Sequence, residues 1–204
     1  MNNHSVTKSI ALEKAPVNEP TKRTAILDAA LNLFVERTYD GTAMPLVAER
    51  AGVGAGTIYR YFENKEALVN ALYRRCQADL AYRIIDSVPL GLPSRHTFHH
   101  IWQGLCDFAR EEPEASAFLE MHHHDLYLEP ESLEYRNRIR KMAYDVITEG
   151  QAKGEMRAGP PFLLAFLVTG AYIGLLKAAR ERGEVLTDDM ITLAEDSVWK
   201  MLEA

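Results

Sequence analysis

A chain of 204 residues, 47% of them hydrophobic, can bury one or two cores, and its formal net charge of −6 excludes a wholly basic nucleic-acid protein. The charge is polarised: residues 22–75 hold eight Lys/Arg against six Asp/Glu, residues 1–21 balance to zero, and the rest carries −8. Only two cysteines, Cys76 and Cys106, are present, so no disulfide framework is available and a reducing compartment is expected.

Residues 1–21, with Pro16 and Pro20 and no secretory apolar run, read as a flexible N-terminal arm. A first helix over about 22–37 carries the stripe Ile26, Ala29, Ala30, Leu33 and Phe34. Tyr39-Asp40-Gly41 turns the chain out of it. Thr42 or Met44 is then expected to cap a second helix with Pro45 in its first turn. Val47 and Ala48 face its core, and Gly52 supplies a left-handed turn that Val53 plugs. Ile58 and Phe62, four apart, place a third helix against the second and leave Thr57, Arg60 and Tyr61 outward beside Tyr59. Together these form a helix-turn-helix.

A fourth helix starts after Asn64, a good N-cap, and runs to about Ser87. Its length of roughly 35 Å suits a link between two domains. A fifth, after Ser94, carries Phe98, Ile101, Trp102, Leu105 and Ala109. Pro113 and Pro130 open a sixth and a seventh; the seventh sets Tyr135, Ile139, Met142, Val146 and Gly150 on one face before stopping near Gly154. The eighth, Pro161 to Arg182, is apolar all round through Leu176 and is expected to be buried on more than one side. Its apolar run meets Lys177 before reaching the roughly 20 residues that span a bilayer, so no membrane is expected. A ninth follows Thr187, with Leu193, Val198, Trp199 and Leu202. The fold class is all-α.

Thr24-Ala25-Ile26-Leu27, Leu33-Phe34, Ala51-Gly52-Val53, Gly56-Thr57-Ile58-Tyr59, Tyr61-Phe62 and Lys65-Glu66-Ala67-Leu68, in that order, resemble the DNA-binding domain of TetR-type (tetracycline-repressor-like) transcriptional regulators. About fifty residues carry the match; beyond them the chain is similar in length and helical pattern, with a weaker match at Gly154-Glu155. The resemblance implies a helix-turn-helix domain over 22–68 and an effector-binding and dimerisation domain over 69–204. It implies a homodimer on a palindromic double-stranded DNA operator, released by a small-molecule effector, and a cytoplasmic protein that is no enzyme and needs no cofactor. Thr57, Tyr59, Tyr61 and Lys65 correspond to phosphate-contacting positions and Thr42 to a DNA-binding one; the family usually has a second hydroxyl residue where this chain has Ala43.

Residue chemistry supports that reading. Lys65 is a cation at a helix N-terminus, where it opposes the dipole unless an anion is bound there. Ala55 and Gly56 allow close approach to a groove, and Arg60 is the one long donor, either bidentate to guanine or clamping a phosphate. Gly52-Val53-Gly54-Ala55-Gly56 follows a helix and not a strand, which rejects a dinucleotide loop. Trp102, Phe118, Met121, His122, Tyr135 and Met142 are candidates for an effector pocket, with ordinary core packing as the alternative. Phe166, Gly170, Ile173, Gly174 and Trp199 are candidates for the dimer interface.

The histidines leave a second reading open. His96 and His100 are i,i+4 neighbours, a workable metal spacing, and His122-His123-His124 follow; capping or pocket-lining roles compete with a metal- or pH-sensing bundle. No Glu-x-x-His pair supports a metalloenzyme, and no metal is expected. The cysteines read as buried small residues, with Cys76 beside Arg74 and Arg75 the better redox candidate. A helix-turn-helix serving only as an interaction scaffold is the remaining alternative.

Overall fold

The computed structural model describes residues 21–121 and 127–204, and among these the structure is helical save for one isolated antiparallel bridge, Met156 to Glu203. The helices are α1 (Lys22–Arg37), α2 (Met44–Arg50), α3 (Ala55–Tyr61), α4 (Lys65–Ala81), α5 (Ser94–Glu111), α6 (Pro113–Met121), α7 (Pro130–Ala152), α8 (Pro161–Arg182) and α9 (Asp188–Leu202). A π-turn over Tyr82–Asp86 extends α4, so the long fourth helix is present but ends in a wider coil.

The first core is the predicted one. Ile26, Ala29, Ala30, Leu33, Phe34, Val47, Ala48, Ile58 and Phe62 are all buried together. Gly52 adopts φ +66°, the left-handed turn between α2 and α3. Asn64 caps α4 by accepting from the Ala67 amide at 2.8 Å. This core continues past α4: Phe108 of α5 and Ala115 and Phe118 of α6 are buried in it, and Phe118 stacks on Phe34 with centroids 6.1 Å apart. α6 therefore packs on α1, bridging the reading head to the rest of the chain.

A second core gathers Phe98, Trp102, Cys106, Ile147, Leu164, Tyr172, Leu176, Ile191, Val198 and Leu202 from α5, α7, α8 and α9. Gly154, at φ +71°, turns the chain so that the Glu155 carboxylate accepts from the Ser94 amide at 2.8 Å. That bond caps α5, whose own N-cap, Pro93, offers no side chain for the purpose. It gives the Gly154-Glu155 pair a structural role. The ninth helix follows Thr187 as expected, and Thr187 caps it by accepting from the Met190 amide.

Three expectations change. The N-cap of α2 is Ala43, with no side-chain hydrogen bond, because the Thr42 hydroxyl is turned inward to the Leu33 and Thr38 carbonyls at 3.2 and 2.9 Å. Leu193 is 70% exposed rather than in the core. α8 is not buried on all sides: Phe162, Leu163, Phe166, Leu167 and Ile173 are exposed, although Leu164, Ala165, Tyr172 and Leu176 are buried. α8 is also the one helix among the described residues long and apolar enough to cross a membrane by length and composition. Here it packs on α7 and α9 and ends in a charged turn containing Arg180 and Arg182.

Candidate nucleic-acid interface and effector cavity

α3 rests on Ile58 and Phe62, and this fixes what it presents outward. Ala55, Gly56, Tyr59, Arg60 and Tyr61 are exposed on it and Thr57 is half-buried. The two tyrosines stand 51% and 44% exposed, which leaves both side chains open on the outward face of α3. Arg60 makes no ion pair among the described residues, whereas neighbouring cations are engaged: Arg50 forks onto Glu36 at 3.0 and 3.1 Å, and Arg23 lies 5.4 Å over the Phe62 ring. The free long donor is thus the one at the centre of the exposed helix.

Two of the predicted contact residues lie elsewhere. Thr42 is 1% exposed, and its hydroxyl is spent inside the α1–α2 turn, so it cannot reach a phosphate in this conformation. Lys65 is half-buried; its ammonium donates to the Tyr39 carbonyl at 2.9 Å and sits 4.0 Å above the Tyr39 ring. The electrostatic misfit of a cation at a helix N-terminus is offset by a carbonyl dipole and a π face within the chain. Tyr39 in turn stacks on Tyr127 at 4.4 Å. Next to this stack, the buried Asn70 of α4 donates to the Tyr127 carbonyl at 2.7 Å and accepts from the Glu129 amide at 2.9 Å. The chain entering α7 is thereby tied to both α4 and the reading head.

Behind α4 lies a cavity of about 310 Å³, walled by α4, the π-turn, α5, α6, α7 and α8. Leu80, Ile84, Leu105, Phe108, Ala143 and Val168 supply apolar wall, and Gln77, Ser116, Glu120, Arg136, Arg140 and Thr169 supply polar groups. A smaller chamber of about 110 Å³ shares Ile84, Leu105, Ile139, Ala143, Ala165, Val168 and Thr169 with it and ends against Trp102, Phe98 and Met156. Ile84, in the π-turn, lines both spaces. π-turns recur at functional positions in helices; this one puts the end of α4 in contact with the cavity.

Of the expected pocket residues, Trp102 and Met142 line the inner chamber. Trp102 donates its indole N–H to the Ile191 carbonyl at 3.3 Å and forms wall rather than a free anchor. Phe118 is a correction: it is fully buried in the first core against Phe34, because α6 turns it toward α1. Tyr135 is half-buried and borders neither space. The expectations for the Met121 side chain and for His122 lie outside the described residues. Sequence reasoning missed Gln77, Glu120, Arg136 and Arg140; the i,i+4 pair of arginines flanking Ile139 on α7 was the available signal.

His99 pairs through Nδ1 with both oxygens of Glu195 at 3.0 Å, and Arg95 and Gln103 reach the same carboxylate. Burial pushes the Glu195 carboxyl up, but hydrogen bonds from Arg95, Gln103 and His99 outweigh it and hold the group below the ordinary range. No group of three His, Cys, Asp or Glu suited to a metal occurs among the described residues. Both cysteines are buried, and burial pushes each thiol up to about 12, which removes thiolate character. Trp199 packs within its own chain, 5.6 Å from Phe98 and with Arg95 over its ring, so it belongs to the α5–α9 seam. Gly170 and Gly174 have nothing near the place a Cβ would occupy, so no helix among the described residues uses that strip.

A helix-turn-helix head joined through one long helix to a helical domain defines the class of helix-turn-helix regulators. Residues 26–72 match the family described as bacterial regulatory proteins, tetR family, and residues 73–204 match the tetracyclin repressor-like C-terminal domain; the chain belongs to the TetR family. It is 25% identical over 162 residues to the HTH-type transcriptional regulator YhgD of Bacillus subtilis, covering 76% of this chain and 82% of that one. It is 37% identical over 76 residues to the transcriptional repressor KstR2 of Rhodococcus jostii, covering 37% of each. Among solved structures, a TetR-family regulator from Shewanella sp. PV-4 superposes with TM-score 0.77 at 25% identity, covering 90% of this chain and 99% of that one. AibR, solved with isovaleryl coenzyme A and operator DNA, has the same fold at TM-score 0.74 and 16% identity, covering 90% of this chain and 98% of that one.

Proposed function

We propose that this protein is a cytoplasmic, homodimeric repressor that holds a palindromic operator through α3 and releases it when a small, largely hydrophobic molecule fills the cavity behind α4. The observation that carries the reading is the outward set on α3: Tyr59, Arg60 and Tyr61 exposed on a helix seated by Ile58 and Phe62. Hydroxyls and a guanidinium are suitable donors to phosphate oxygens and base edges. A repressor among the relatives and a neighbour solved with both a ligand and operator DNA support the same reading.

The exposed face of α8 supports the dimer. Phe162, Leu163, Phe166, Leu167 and Ile173 are exposed, and Gly170 and Gly174 leave an open strip beside them. A soluble monomer rarely leaves such a face bare, and a second copy of α8 is its natural cover. Two reading heads about 34 Å apart then meet successive major grooves. A ligand releases DNA only through its stronger affinity for the shape that cannot span that distance, so ligand and operator weaken each other by one common factor.

Selection of bound sequences from a random DNA pool, followed by salt titration, tests this. The expected result is an inverted repeat bound with strongly salt-dependent affinity. Arg60→Ala is expected to cost about 1–3 kcal/mol on the selected operator and to relax one position per half-site. An equal loss on random DNA makes Arg60 a phosphate clamp. No salt-dependent DNA binding removes the reading in favour of an interaction scaffold.

A further inference from the structure

The cavity is asymmetric in charge, and that asymmetry selects among apolar ligands. The adjoining smaller chamber, at Trp102, Phe98, Met156 and Val146, offers hydrocarbon and aromatic surface. The larger cavity carries Arg136 and Arg140, one helical turn apart on α7, with Gln77 of α4 also in the wall. Glu120, the one acidic group in this wall, is already answered from within: Ser116 donates to it at 2.6 Å and Arg180 pairs with it at 3.5 Å. Arg140 makes no ion pair among the described residues. Arg140, exposed at the rim, thus brings to the cavity one guanidinium with no ion pair among the described residues, while the chamber lined by Trp102 has no charged group in its wall.

Gln77 adds a group of adaptable polarity. It is buried, its amide nitrogen donates to the Tyr73 hydroxyl at 2.8 Å, and its carbonyl oxygen has no hydrogen-bond partner among the described residues. A tyrosine hydroxyl both donates and accepts, so the amide can reverse at that bond and turn its NH₂ to a ligand oxygen. In the reversed amide the carbonyl oxygen accepts from the Tyr73 hydroxyl and a ligand oxygen accepts from the NH₂ that then faces the cavity, so neither buried polar atom is left unsatisfied.

We propose that the cavity takes an amphiphilic carboxylate, with its apolar body toward Trp102 and its carboxylate held by Arg140 and Arg136, with Gln77 as a further donor. The proposal rests on the effector reading above and gives that effector a chemical class. Guanidinium suits a carboxylate because its planar fork matches two oxygens. A neutral sterol-like or alkane-like ligand of the same volume leaves that fork unused.

The test uses the full chain carrying Trp199→Phe, so that Trp102 alone reports, with decanoate as probe and decanol and decanoyl coenzyme A as comparators. Fluorescence titration is expected to show saturable decanoate binding at least tenfold tighter than decanol binding. Arg140→Gln is expected to weaken decanoate about tenfold while leaving decanol unchanged; Arg136→Gln is the second variant, with melting temperature checked for both. Equal affinity of acid and alcohol, or equal loss of both in Arg140→Gln, overturns the proposal. Binding of decanoyl coenzyme A with no binding of decanoate also overturns it, by assigning the arginines to phosphate. Operator release is scored separately: decanoate that binds as expected without releasing DNA upholds the carboxylate site and refutes the effector reading.

Discussion

Lys65 is the residue at which family resemblance and structure assign different partners, and one substitution separates them. Replacing it with Met keeps the length of the stem and removes the ammonium. Three effects set the size. The hydrogen bond to the Tyr39 carbonyl, 2.9 Å long, is charge-assisted and contributes roughly 1.5–3 kcal/mol. The ammonium 4.0 Å above the Tyr39 ring adds about 0.5–1 kcal/mol at a partly exposed site. Against these, removing a cation from the first turn of α4 recovers about 0.3–1 kcal/mol. The net is a loss near 2 kcal/mol, which for a protein of this size lowers the melting temperature by roughly 4–8 °C. Thermal melting of wild type and Lys65→Met in the absence of DNA measures it. An unchanged melting temperature refutes the internal role. In that case a loss of about one unit per subunit in the log–log salt slope for DNA binding returns Lys65 to phosphate.

Other outcomes follow from equally local geometry. A Cβ added at Gly41 falls 2.3 Å from the Arg37 carbonyl oxygen, a backbone atom that cannot step aside, so Gly41→Ala is expected to cost about 2–3 kcal/mol in urea unfolding; a neutral substitution refutes the packing argument. Glu195 titrates below its ordinary value of 4.5 when folded, so its contribution is complete above pH 4.5 and is lost as pH falls through the lower folded value. Wild type should therefore lose stability over that acid range more steeply than Glu195→Gln, and superimposable profiles contradict the assignment. Gly174→Leu fills the open strip on α8 and should shift the protein toward monomer or aggregate in sedimentation; a fully dimeric variant places the interface elsewhere.

The sequence by itself determined the helices and the turn of the reading head, because those features are local. Ile26 to Phe34, Ile58 and Phe62 are spaced by the helical period, Gly52 marks the left-handed turn, and Asn64 and Thr187 sit where caps must sit. The helix order and starts from Pro113 and Pro130 were legible for the same reason. Periodicity says which face of a helix is apolar but not what that face meets, and tertiary structure alone decided that. It sent Phe118 into the first core against Phe34 instead of the cavity, turned Thr42 inward, and gave Lys65 to Tyr39 across 26 residues of chain. It left one side of α8 uncovered although that helix is apolar all round, since the described helices pack against its other side. It also assembled the cavity from Gln77, Arg136 and Arg140, which belong to helices some sixty residues apart and share no motif. Such a site is a property of packing, where long-range contacts bring together residues that neither propensity nor spacing connects.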